Sequence, residues 1–278
     1  MASSIQELLE SCPNSTLKKF TSLDPKHKVA INSIDIFRYF ENKLMDSQKV
    51  LDVLETFSKI ATSSSMLNYG RYPDTGALNN CKGRWFELIF FQKFISELDK
   101  RKNNAPKEIF KLPSSNDTHS FVNIFEEKVR KELSKVGLWL SNPDFIILKG
   151  RNFSSSLEGK STIEKFNYLS YFGKVKPVDL EAVISIKTSA RPDRRYQPLY
   201  ESNAVKALLN RYSHQIKFIV IDLQRNKKNE LVYRSTSIIS ATNDKELFKP
   251  SIDKSMILET IKDVESVIEY INNKQKSS

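Results

Sequence analysis

The sequence predicts an α/β fold, a mixed β-sheet flanked by helices, with a helical N-terminal subdomain at residues 1–68 and the main domain at 69–278. Three observations carry this reading. Residues 180–187 form an apolar run rich in β-branched side chains, and residues 217–223 read as a second, strong buried strand. Between and around them lie stretches of helical periodicity, an alternation that calls for helices packed on a sheet.

The elements follow in order. Ile5, Leu8 and Leu9 form one short apolar set; Ile34, Ile36, Phe37, Phe40 and Leu44 form another. Val50, Leu51, Val53, Leu54, Phe57 and Ile60 form a third, so the first 65 residues or so read as helices. Ser63–Ser65 and the turn-rich segment 69–76 separate this part from the rest. A long helix is expected at 82–102 and an amphipathic one at 120–135, then a short strand at 142–148. The polar stretch 149–176 reads as loop or hairpin, followed by the strand 180–187, a helix at 198–212 and the strand 217–223. A turn at 225–229 predicts that 230–239 pairs back as a further strand, and a helix at 252–272 closes the chain.

Composition narrows the chemistry. Lys and Arg number 44 against 33 Asp and Glu, a net charge of +11 that favours an anionic partner, nucleic acid first. Three scattered histidines and two cysteines cannot build a His/Cys zinc site. Seven glycines, none in a phosphate-loop or dinucleotide pattern, exclude those fingerprints, and no GxSxG elbow occurs. The N-terminal MASSIQELLESC has neither a basic start nor an apolar stretch, which predicts a reducing, cytoplasmic setting, and no apolar run is long enough to span a membrane. Catalysis, if present, rests on carboxylates, lysine and an oxygen-liking metal.

Four places carry such chemistry. Pro143-Asp144 opens an apolar strand, where a bare carboxylate is costly without a partner or metal. Strand alternation puts Ser185 and Lys187 on one face at the end of the run 180–187. Glu201 shares a helical stripe with Ala204, Val205, Leu208 and Tyr212, and Glu87 sits likewise among Phe90, Phe91, Phe94 and Leu98. Arg191-Pro192-Asp193-Arg194-Arg195 offers arginine forks for guanine and a carboxylate for cytosine N4. Each has a plainer reading: a turn aspartate, a lysine snorkelling from a strand end, a Glu87–Arg84 pair, a first-turn glutamate at 201, a surface ion pair in the arginine segment. Together they suit Mg²⁺-dependent phosphodiester hydrolysis, since Mg²⁺ prefers carboxylate and water oxygens.

In this combination the residues resemble the PD-(D/E)xK nucleases, in particular type II restriction endonucleases of CCGG-containing sites. Pro143-Asp144 resembles the PD element, and Ser185-Ile186-Lys187 the (D/E)xK element in the variant where serine replaces the acid. Glu201, fourteen residues after Lys187, resembles the glutamate that takes over for the missing acid. Lys187-xxx-Arg191-x-Asp193-Arg194 resembles the pattern that reads the CCGG core, with Pro192 where serine is expected and an additional Arg195.

The resemblance implies a PD-(D/E)xK fold and Mg²⁺ held by Asp144 and Glu201, with Lys187 at the water or phosphate and Glu87 as a supporting acid. It implies bases read by Arg191, Asp193 and Arg194, a phosphate contact at Arg195, and 5′ overhangs. A palindromic duplex site implies at least a homodimer. Glu181 shares the Lys187 face but lies about 20 Å along the strand, a weaker alternative acid. The N-terminal helices resemble the extra domain of a group member that reads CCGG flanked by A/T pairs. A non-cleaving DNA-binding protein and a repair-type PD-(D/E)xK nuclease remain the competing readings.

Overall fold

The computed structural model describes residues 12–101, 107–113, 120–135, 142–150, 152–188, 196–212, 214–234 and 250–273, together with Glu7 and Glu10. The chain divides into two compact units, Met1–Lys93 with Leu258–Asp263, and Phe94–Ile257 with Val264–Ser278. No described helix is long and apolar enough to cross a membrane.

The first unit is not purely helical. Strands β1 (Thr21–Leu23) and β2 (Val29–Ile31) form an antiparallel ribbon. Its turn is closed by Asp24 Oδ1, which accepts from the amides of Lys26 and Lys28 (2.9 and 2.7 Å). Helices α1 (Ser33–Phe40) and α2 (Val50–Tyr69) follow, and α3 (Thr75–Lys100) begins here. Phe57 packs edge-on against Trp85 at 5.5 Å, and the Trp85 indole donates to Ser33 O (2.9 Å).

Ser63–Ser65, expected to break the chain, instead lie inside α2. Ser64 is fully buried, bonded to Leu17 O (2.6 Å) and to Thr21 Oγ1 (2.8 Å). These hydroxyls satisfy buried backbone and side-chain groups, so the serine cluster is a packing face. The helix stops one residue past Tyr69, where Gly70 takes the left-handed conformation (φ 64°) that glycine adopts without steric cost. The first unit runs on to Lys93 and takes back Leu258–Asp263.

The second unit holds the mixed sheet, in the order β3 (Lys107–Lys111), β4 (Phe145–Lys149), β5 (Leu180–Lys187), β6 (Lys217–Asp222), β7 (Lys254–Ile257). β3, β4 and β5 pair antiparallel, whereas β5, β6 and β7 run parallel. The parallel β5–β6 pair needs a crossover, which helix α5 (Gln197–Asn210) supplies. Its Ala204, Val205, Leu208 and Leu209 join one core with Ile146, Leu148, Val183, Phe218 and Val220. Helix α4 (Glu127–Ser134) adds Val129 and Leu133 to that core. A bulge between β4 and β5, where Ile147 faces Ala182 but Leu148 faces Leu180, leaves Glu181 as the extra residue.

Three elements depart from the sequence reading. Residues 227–233 form helix α6 (Lys227–Tyr233), not the start of a returning strand, because the Asn226 side chain accepts from the amides of Lys228 and Asn229 and caps a helix. The neighbour of β6 is therefore β7, parallel to it, and residues 235–249 lie outside the described residues. The single helix expected at 252–272 is divided into β7, a 3₁₀ turn (Ile261–Asp263) and α7 (Val264–Asn272), with Asp263 Oδ2 accepting from Thr260 N (2.7 Å) at the break. Finally, the polar stretch 149–176 contains helical turns at Ser154–Leu157 and Thr162–Phe166, the second opened by a reciprocal Ser161/Glu164 capping box.

Candidate active site

The sheet brings the end of β3, the start of β4 and the ends of β5 and β6 to one side. Asp144 stands just before β4, after the buried Pro143, whose missing N–H needs no ladder partner. The backbone of Asp144 continues the ladder: its N–H donates to Ile184 O (2.9 Å) and its carbonyl accepts from Leu112 N (2.9 Å). It is thus part of the sheet rather than a loop-closing turn. Its carboxylate is held at both oxygens, Oδ2 by the Ile186 amide (2.6 Å) and Oδ1 by the Lys111 ammonium (3.2 Å). Burial pushes this carboxyl up, but the Lys111 and Lys187 charges and the two hydrogen bonds outweigh it, holding Asp144 below the ordinary value.

Ser185 is fully buried in β5 and faces α5. Its hydroxyl donates to Glu201 Oε2 (3.1 Å), while Gln197 Nε2 donates to Glu201 Oε1 (2.7 Å). Glu201 is fully buried and lies a turn beyond the Gln197 that opens α5, so a first-turn role at the helix dipole does not describe it. The helix instead aims it at the strand, into the space a longer residue at 185 would occupy. Glu181 is at the other end of β5, in a 2.7 Å ion pair with Lys107. His214 also bonds at that far end, to Leu180 O (2.6 Å).

Lys187, half-buried, ends β5 in register with Asp222 at the end of β6. Asp222 is 7% exposed, with the Tyr233 hydroxyl 3.5 Å away. Burial raises its carboxyl to about 7 against the opposing pull of Lys187. Among the described residues, Asp222 and Lys111 are charged groups at this sheet end that sequence reasoning missed. Asp222 carried the signal already used for Lys187, a charge terminating an apolar run. Lys111 carried none, because only the β3–β4 pairing brings it to Asp144.

Carboxylate oxygens could hold a hard divalent cation: Glu201 is bonded to Ser185 and Asp144 to the next residue's amide at Ile186, with Asp144 partly open at 20% side-chain exposure. Glu87 lies on α3 in the first unit, half-buried between the fully buried Phe86 and Leu88. Arg191, Asp193, Arg194 and Arg195 lie outside the described residues.

A mixed five-stranded sheet with a carboxylate–lysine end, flanked by helices, defines the restriction-endonuclease type of fold. The crystal structure of the Type IIF restriction endonuclease Bse634I with cognate DNA superposes with a TM-score of 0.80 at 21% identity, over 92% of this chain and 99% of that one. A second structure of Bse634I restriction endonuclease gives 0.78 at 21% identity, over 91% and 97%. The type II restriction enzyme Cfr10I of Citrobacter freundii is 24% identical over 281 residues, covering 88% of this chain and 95% of Cfr10I. The profile of the Cfr10I/Bse634I restriction endonucleases matches residues 16–274. The chain belongs to this family of type II restriction endonucleases, which are site-specific deoxyribonucleases. The match begins at residue 16 and so takes in most of the N-terminal part of the chain.

Proposed function

We propose that the protein cuts double-stranded DNA at a palindromic site with a CCGG core, depends on Mg²⁺, leaves 5′ overhangs and acts as a homodimer or higher oligomer in the cytoplasm. The observation that carries this reading is the gathering of Asp144, Lys187 and the Ser185–Glu201 pair at one end of the sheet. A relative of the same fold has been solved with its cognate DNA, which supports duplex DNA as the partner here.

Asp144 and Glu201 would hold the metal, which when bound polarises the phosphate, lowers the pKa of the attacking water and offsets charge on the leaving oxygen. Asp144 is ionised at neutral pH and oriented by the Ile186 amide. Glu201 is fixed in one rotamer by Ser185 and Gln197. Lys187 presents its ammonium at the open end of the strand, where it holds the water or a phosphate oxygen and opposes the negative charge that builds up there. Glu87, a half-buried carboxylate of α3, would be a supporting acid. Arg191, Asp193 and Arg194 read the bases and Arg195 contacts a phosphate.

The test is cleavage of a CCGG-containing duplex by the wild type and Lys187→Ala, with Mg²⁺ or with a chelator. The wild type should cut only with Mg²⁺, and the variant should bind the duplex without cutting it. Full cleavage by the variant would remove Lys187 from the chemistry.

A further inference from the structure

Lys111 is built into its position rather than draped over the surface. Its carbonyl accepts from the Tyr171 hydroxyl (2.8 Å), and the next amide, Leu112 N–H, donates to Asp144 O (2.9 Å). The backbone on either side of the side chain is therefore pinned to the sheet and to the segment that covers it. From there the ammonium reaches 3.2 Å from Asp144 Oδ1 and 5.2 Å from the centre of the Phe145 ring, with only 16% of the side chain exposed. The other oxygen, Oδ2, is already taken by the Ile186 amide (2.6 Å).

We infer that Lys111 is a resident cation that competes with the divalent metal for Asp144, so that metal loads weakly until DNA draws the ammonium away. The inference rests on the proposed function, in which Asp144 is a metal ligand. A divalent ion taking Oδ1 meets a like charge beside it, and the repulsion is strong where water is scarce. The ammonium must swing aside, which a flexible four-carbon stem permits, and the face of Phe145 gives it a favourable surface to lie on. A phosphodiester at the sheet end supplies the negative charge that holds it in the displaced position. Lys111 is thus a positioning residue: it holds the Asp144 carboxylate in place without metal, and it couples metal binding to DNA binding.

The experiment titrates Mn²⁺ into DNA-free protein and reads the free ion by electron paramagnetic resonance, for the wild type, Lys111→Met, Lys111→Arg and Asp144→Asn. Lys111→Met should bind Mn²⁺ at least about tenfold more tightly than the wild type, the lower end of what one neighbouring charge does to a carboxylate's proton affinity. Lys111→Arg keeps the charge and should stay near the wild type, and Asp144→Asn should lose the site. Should Lys111→Met fail to fold, Lys111→Gln removes the same charge and carries the same expectation. If Asp144→Asn loses the site while the neutral Lys111 variant binds no more tightly than wild type, the competition is overturned and the metal assignment stands. If Asp144→Asn binds as the wild type does, Asp144 is not a ligand, and the metal assignment and this inference fail together.

Discussion

Two aspartates at one sheet end shift in opposite directions although the same lysine, Lys187, pulls both down. Asp144 has two ammonium groups and a backbone amide on it, and its carboxyl falls; at Asp222 burial outweighs the pull of Lys187 and lifts the carboxyl to about 7. The consequence for stability has a definite sign. In the unfolded chain Asp222 gives up its proton near the ordinary 3.8, whereas in the folded protein it keeps it until about 7. Across that window the folded state binds more protons, so stability falls as pH rises and the favourable contribution is lost once Asp222 ionises. Asp222→Asn has no such proton to lose. Urea unfolding of the variant relative to wild type should therefore show a larger advantage at about pH 8 than at about pH 5. An equal difference at both would mean that Asp222 does not ionise in that window.

In the proposed site the working element is the β5–α5 pair. Strand alternation and helical spacing made Ser185, Lys187 and Glu201 legible, because each rule fixes a face and the two faces must meet across a short connection. The structure adds the contact itself, Ser185 Oγ to Glu201 Oε2 at 3.1 Å, and shows α5 seated by Leu208, which is 1% exposed. Leu208→Ala should cost about 2–5 kcal/mol in urea unfolding. It should also slow cleavage at temperatures where the variant stays folded, since the same helix carries Glu201. Other elements were not legible for identifiable reasons. β7 is only Lys254–Ile257, too short for its alternation to stand out from the helical pattern that follows. α6 hides its start in an asparagine cap that reads equally well as a turn, and Ser161-x-x-Glu164 is a capping signature inside what looked like uniform polar loop. Lys111 and Asp222 became visible only with strand order, which no local pattern supplies.

At the scale of the whole molecule, the +11 charge pointed to a polyanion without saying where it binds. The fold places Lys111 and Lys187 at one end of the sheet, and Lys187 stands shortly before the arginine segment 191–195 in the chain. The family match over residues 16–274 covers most of both compact units. What most directly tests the central claim is the sequence of the DNA ends it produces. Genomic DNA digested with the wild-type protein and Mg²⁺ should yield ends that all fall at one palindrome containing CCGG, each with a 5′ overhang. Ends scattered without a shared sequence, or intact DNA under those conditions, would contradict it.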